Sequence, residues 1–283
     1  MSGAEKTARR AAGPQPPRTA APPAQTLFRL RVRHPKRGRL IYLGHLELIH
    51  SIERVVRRAA LPYAVSQGFS PHMRMGFSSA LPVGTGSVCE YFDVFLTELV
   101  PAGEALARLR ASSPADIEPD AARYVGVRDP ALTAEITRQE YLVELERAEG
   151  AAFSAADVGS ALAEVRSLGG IAYERGKKRK VLDLSRTLAG FTVGEGVSGC
   201  VEVELDTRCD NKGALRPEIL LCALDRRLRH VGADEEGAIR STGVPELPSF
   251  ARFSVMRRAQ WVETADGLVS PLGARAPQAH QAR

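Results

Sequence analysis

Seven consecutive residues, Ser66, Gln67, Gly68, Phe69, Ser70, Pro71 and His72, crowd hydroxyl, amide and imidazole groups together, with Arg74 close behind. An imidazole exchanges protons near neutral pH. His72 is therefore a candidate general acid or base, with Ser66 and Gln67 as groups that could assist a proton transfer. His45, directly after Gly44, is a second candidate and Asp93 a third. Glu90 and Asp93 make no hydrolytic pair, because positions three apart on a strand face opposite sides. Gly68, Pro71, Gly76, Pro82, Gly84 and Gly86 argue for a shaped loop around these groups. Such loops hold binding residues on a rigid scaffold, although the same pattern also suits a purely structural crossover.

The second chemistry is phosphate binding. Between Leu27 and Ala60 nine basic residues face only Glu47 and Glu53, an excess of seven against a whole-chain net charge of +6. Arg29, Arg31 and Arg33 alternate along one segment; Arg54, Arg57 and Arg58 crowd another; Lys177, Lys178 and Arg179 form a third basic run. These nine, together with Arg74, are the candidate nucleic-acid contacts, since clustered cations attract polyanions or an acidic protein surface. Cys89, Cys200, Cys209 and Cys222 fit neither a disulfide framework nor paired zinc ligands, and no CxxxCxxC triplet occurs. They read as reduced thiols packed as small hydrophobes, and neither a metal nor a cofactor is expected. The Gly-rich runs match no dinucleotide or P-loop spacing, and GxSxG and HExxH are absent.

The elements that must carry these groups show in the periodicity. Phe28, Leu30 and Val32 alternate with the three arginines, a strand buried on one face. From His45 to Ala60, Leu46, Ile49, Ile52, Val56 and Ala59 recur at helical spacing, and Pro62 lies just beyond. Extended segments at 63–66 and 73–78, a strand at 91–96, a helix at 102–111 and an extended segment at 117–127 complete the order β-α-β-β-α-β. The second half repeats it, with a strand at 141–146, a helix at 155–167, strands at 180–184 and 200–205, a helix at 216–228 and a strand at 250–257. The expected fold is α+β, a tandem of two ferredoxin-like (βαββαβ) units at 27–128 and 129–264. Such a sheet leaves one face free of helices, and the three alternating arginines are expected to line it. Residues 1–26 and 265–283, rich in Ala and Pro, read as disordered tails.

The 283 residues suggest about two domains. No stretch reaches the ~18 apolar residues of a spanning helix, and the Ala/Pro-rich start lacks a secretory core. No membrane role and a cytoplasmic location are expected.

The motifs Gly44-His-Leu-Glu47, Ser66-Gln-Gly-Phe-Ser-Pro-His72, Ala80-Leu-Pro-Val-Gly84 and Glu90-Tyr-Phe-Asp93 resemble the radical-SAM-linked (radical-SAM-associated) domains, an uncharacterised bacterial family. The segments 179–183 and 213–217 are similar to it as well. Glu47 stands where that family usually has Asp, and Arg257-Arg-Ala-Gln-Trp261 departs from its usual Arg-Thr-Gly-Leu-Tyr ending. The resemblance implies a gene context of ribonuclease E/G-type enzymes and ribosomal proteins, and so a role in RNA modification or processing. The first expectation is a non-catalytic accessory module that binds tRNA or rRNA, with a radical SAM enzyme or a ribonuclease as a further partner. The alternatives are an RNA-directed enzyme using His45 and His72, and a protein-binding adaptor for a radical SAM partner.

Overall fold

Leu30 and Val32 are buried on one side of the first strand, β1 (Phe28–Lys36), as their alternation requires. The computed structural model describes residues 26–210, 213–230, 237–241 and 243–273; the tail expected over 1–26 lies outside them except for Thr26. After β1 come α1 (His45–Arg58), β2 (Met75–Phe77), β3 (Thr85–Leu96), α2 (Ala102–Ser112), β4 (Ala121–Val125), α3 (Leu132–Glu135) and β5 (Arg138–Arg147). The chain continues through α4 (Ala155–Ser167), β6 (Gly170–Arg175), β7 (Lys178–Asp183), α5 (Leu184–Thr187), β8 (Leu188–Glu195), β9 (Val201–Asp210) and β10 (Gly213–Ala214). It ends with α6 (Pro217–Leu228), β11 (Ile239–Arg240), β12 (Phe250–Thr264) and β13 (Gly267–Val269).

The main sheet has ten strands, in the order β10-β9-β5-β12-β3-β1-β4, with β2, β8 and β13 paired at its sides; β11, β6 and β7 form a separate three-stranded sheet. The fold is mixed α+β, as expected. A split βαβ unit inserts its third strand between the first and the second, antiparallel to both. In the first half the order is β4-β1-β3-β2 with every neighbour antiparallel, and Arg31 lies opposite Asp93. In the second half the order is β8-β9-β5-β12, again antiparallel throughout; the strand expected at 180–184 is corrected, because β7 pairs with β6 outside the main sheet and β8 lies beside β9 instead. The two halves share one sheet, because β12 runs antiparallel to β5 on one edge and parallel to β3 on the other.

Each half packs its helices on the same kind of apolar stripe. From α1, Ile52, Val55 and Val56 bury against Leu30, Val32, Phe92 and Val94; each such side chain contributes about 1.5–3 kcal/mol. Leu46, expected in that stripe, is exposed, since it lies two residues, about 200° of helix turn, from Leu48. The second core joins α4 and α6 to Val143, Leu145, Val203 and Leu205 of the sheet. A third, smaller cluster of Cys89, Tyr91, Leu132 and Ile136 lies on the opposite face of β3 beneath α3.

The C-terminal stretch corrects a second expectation. Residues 267–269, placed in a tail from 265, pair with β12, and the carbonyls of Pro271 and Leu272 accept hydrogen bonds from Arg31 and Arg123. Backbone acceptors offered to arginines hold this piece in place. Residues 274–283 of that tail lie outside the described residues.

Candidate functional site

Arg29 and Arg31 project from β1 on the face away from α1, but that face is covered by residues 126–135 and Pro271. Asp93 accepts from Arg29 Nε (2.9 Å) and Nη2 (2.5 Å) and from Arg31 Nε (2.8 Å) and Nη2 (3.2 Å). Arg29 also donates to the carbonyls of Asp129 (2.7 Å) and Pro130 (2.8 Å). Arg31 reaches Pro271 O (3.1 Å) and the Glu135 carboxylate (2.8 Å). Both arginines and Asp93 are buried. A buried guanidinium must be paired, and here the pairing consumes the donors a phosphate would need. The expected nucleic-acid role of Arg29 and Arg31 is therefore corrected to a structural one. The same holds for Asp93 as a catalytic candidate, since its carboxylate is saturated and closed off. Arg33, half-exposed, forms a two-pronged pair with Asp120 (2.7 and 2.8 Å) that neutralises its charge.

Glu90 faces the other way on β3, as its spacing from Asp93 requires, and anchors a second polar network. Arg257 Nη1 donates to both of its carboxylate oxygens (3.0 and 3.2 Å), and Ser78 Oγ and Gln260 Nε2 donate at 3.3 Å. Arg257 Nε and Nη2 also donate to the Tyr141 hydroxyl (3.2 and 3.0 Å), which donates in turn to Gln139 Oε1 (2.9 Å). Burial pushes the Tyr141 phenol up despite the neighbouring Arg257, so it stays a neutral donor. Burial likewise pushes the Cys89 thiol up to about 12, which leaves it inert as a nucleophile at neutral pH.

On its far side Glu90 meets a cavity of about 10 Å³, enough for one water, lined also by His34, Lys36, His45 and Ser78. Lys36 Nζ donates to the carbonyls of Ile41 and Leu43 (3.0 Å each). His34 Nδ1 lies 2.8 Å from Pro35 O, and a carbonyl only accepts, so Nδ1 carries the proton. His45 sits edge-on to Phe77 (6.1 Å between ring centres) at the start of α1, whose Gly44 N–H is capped by Glu47 (2.7 Å). Burial pulls both imidazoles below the ordinary 6.5, against the opposing pull of Glu90. Sequence reasoning missed His34, Lys36, Arg257 and Gln260; the polar run His34-Pro35-Lys36 continuing a buried strand was the available signal.

Burial of the His34 and His45 imidazoles makes the stability of the fold depend on pH. A histidine whose folded pKa is depressed binds its proton more readily in the unfolded chain, so stability is full above about pH 6.5 and falls below it. Thermal melts between pH 7.5 and 5 should show this fall, and His34→Gln should flatten it. Equal slopes in the two proteins would remove His34 as the cause.

His45 and His72 occupy different places. His72 is exposed in the 66–72 loop, which closes on itself through Ser66 N–H to His72 O (2.8 Å) and His72 N–H to Ser66 Oγ (3.0 Å). It is not among the residues lining the cavity of His45. Ser66, Gln67, Gly68, Phe69 and Pro71 are exposed as well, and the Phe69 ring is entirely so. Arg74 stacks on Phe95 at 4.5 Å. Arg54, Arg57 and Arg58 are exposed on α1; Arg54 donates to Ser51 Oγ (3.0 Å) and Arg57 lies 3.9 Å from Glu53. Lys177, Lys178 and Arg179 are exposed at the β6–β7 hairpin. Among the described residues no group of three or more His, Cys, Asp or Glu could hold a metal ion. Nor is any helix there long and apolar enough to cross a membrane.

Residues 29–217 match the family described as "Uncharacterized protein conserved in bacteria" (DUF2344). The chain belongs to this family. The DUF2344 match takes in Asp93, Glu90, His45 and the 66–72 loop, and ends at Pro217, the first residue of α6; Arg257 lies beyond it. None of the curated proteins matches the chain. Among solved structures, this DUF2344 chain is similar to one described as "Crystal Structure of a Cbf5-Nop10-Gar1 Complex", with a TM-score of 0.41 and 10% identity over 82% of this chain and 48% of that one. It is also similar to "Structure of H/ACA RNP bound to a substrate RNA containing 2'-deoxyuridine" (0.35, 9% identity, 81% and 46% covered). A third likeness is to an unknown protein from Galdieria sulphuraria (0.22, 11% identity, 72% and 94% covered). The chain spans about half the length of the first two.

Proposed function

We propose that this chain is an accessory module that binds RNA, tRNA or rRNA, through α1 and the 66–72 loop and assists an RNA-modifying or RNA-processing enzyme. The observation that carries this reading is the exposure of Arg54, Arg57 and Arg58 on one helix together with the wholly exposed ring of Phe69. Guanidinium groups track a phosphate backbone, and a bare aromatic face offers a stacking platform for an unpaired base. Arg74, Lys177, Lys178 and Arg179 extend the cationic surface.

Binding of total cellular RNA between 50 and 300 mM salt tests the proposal. Each lost phosphate contact lowers the log–log salt slope by about 0.7, so Arg54, Arg57 and Arg58 changed together to Ala should lower it by about 2. Phe69→Ala should weaken binding by about 1–3 kcal/mol with the slope unchanged. Arg33→Ala, which removes a charge already paired, should do little to either. An unaltered slope in the triple variant would sink the proposal.

A second reading is a protein-binding adaptor for a radical SAM enzyme, favoured by the exposed apolar side chains of Leu46, Val65 and Phe69. Salt-sensitive binding to such an enzyme, with none to RNA, would single it out.

A further inference from the structure

The helix-free face of the second half carries a cleft of about 610 Å³, large enough for a small-molecule ligand. Its construction can be read across four paired strands. One row is Gly190, Asp206, Glu140 and Ala259, in register from β8 through β9 and β5 to β12. The next is Arg208, Arg138 and Trp261. The first row has small residues at both ends and carboxylates in the middle, which makes a floor with room above it. The second makes a wall with an indole at one end and an exposed guanidinium at the other.

The wall is rigid where rigidity matters. Trp261 Nε1 donates to Glu140 Oε1 (2.8 Å), which fixes the indole. Arg138 is held by Asp206 through both Nε (3.0 Å) and Nη2, and reaches Glu263 (3.4 Å). Arg258 lies 4.0 Å from Glu204. Arg208 is exposed and, among the described residues, in no ion pair.

We infer that this cleft binds a nucleotide with a single phosphate, free or within an RNA chain. A planar base suits the fixed indole face, and stacking of this kind does not depend on base identity. Selectivity comes from the floor, since carboxylates only accept and favour bases that offer amino groups. Guanine presents two adjacent donors, N1–H and the N2 amino group, whereas uracil presents one N–H. The single phosphate matches Arg208, because, of the three lining arginines, Arg138 is held by Asp206 and Arg258 lies beside Glu204, which leaves one guanidinium to meet an anion. This goes beyond the binding surface proposed on α1 and uses none of its arginines.

Trp261 is the only tryptophan in the chain, so its fluorescence reports on this cleft alone. The full-length protein is titrated with GMP, UMP, guanosine and a short single-stranded oligoribonucleotide. GMP should change the emission saturably, with UMP and guanosine each roughly tenfold weaker, the ratio of about one hydrogen bond to a charged group. Gly190→Leu is the occluding variant: a Cβ at Gly190 meets nothing within 4 Å, so the side chain enters open cleft without disturbing the sheet. It should abolish the response and leave the melting temperature near that of the parent. Arg208→Ala, a surface change, should weaken GMP roughly tenfold and guanosine not at all.

An oligonucleotide that saturates well below GMP, and is lost in Gly190→Leu, assigns the source to an RNA chain; equal affinities assign it to the free nucleotide. Absence of a saturable response to every ligand, or the same response in Gly190→Leu and Arg208→Ala, overturns the inference. Failure here leaves the α1 salt slope untouched, and an unaltered α1 slope says nothing against GMP in the cleft.

Discussion

Asp93→Ala should lower the free energy of unfolding by roughly 3–5 kcal/mol, the cost of leaving buried charge without its partner. The value is large because two guanidinium groups, Arg29 and Arg31, lose their shared carboxylate at once. Neither can turn to water, since residues 126–135 and Pro271 close over them. Against a total stability of about 5–15 kcal/mol, such a loss removes a large share of what holds the protein folded. Urea titrations of parent, Asp93→Ala and Arg33→Ala provide the comparison. Arg33 and Asp120 form an exposed pair, for which a loss of at most about 1 kcal/mol is expected. Equal losses in the two variants would mean that the Asp93 cluster is not closed to solvent.

Arg257→Ala should cost a similar amount, roughly 3–5 kcal/mol, because Glu90 is left buried and charged and the Tyr141 hydroxyl loses a partner. The more telling variant replaces both ends. Glu90→Leu with Arg257→Met removes the two charges together, and buried ion pairs exchanged for apolar groups of similar size are often close to neutral. The double variant should therefore be more stable than either single variant, a coupling read directly from a double-mutant cycle. Additive losses would show that Glu90 and Arg257 act independently.

Much of the local structure could be read from the residues. The alternation in β1, the helical spacing of Ile52 and Val56, and the β3 strand around Phe92 all follow from which positions must leave water. Arg29 and Arg31 were placed on the correct side of β1 by the same alternation, yet their role was misread. Alternation says which side chains share a face; it does not say whether a later segment will cover that face. The covering pieces, α3 and residues 271–273, carry no periodic signal of their own. The parallel pairing of β12 with β3 was equally invisible, because contacts between residues 85–87 and 255–257 leave no local pattern. Arg257 was therefore noted only as the start of a segment that departs from the resembled family's ending, and the network it builds with Glu90 and Tyr141 went unseen. The 66–72 loop was recognised from its Gly and Pro content, but only the structure shows that Phe69 has no apolar neighbour to cover it.

The position of β12 has a consequence for how the protein comes into being. Of the strands in the main sheet only β13 is synthesised later, yet β12 lies between β5 and β3 at the middle of the order. A nascent chain lacking residues 250–264 holds two incomplete half-sheets, with the 85–87 edge of β3 and the whole outer edge of β5 unpaired. Open edges of this kind invite pairing with other chains, and closing them requires contacts across more than 160 residues of sequence, between 85–87 and 255–257, which slows folding. During synthesis the molecule therefore passes through an interval in which it depends on being kept apart from its neighbours, and the interval ends only when the joining strand emerges.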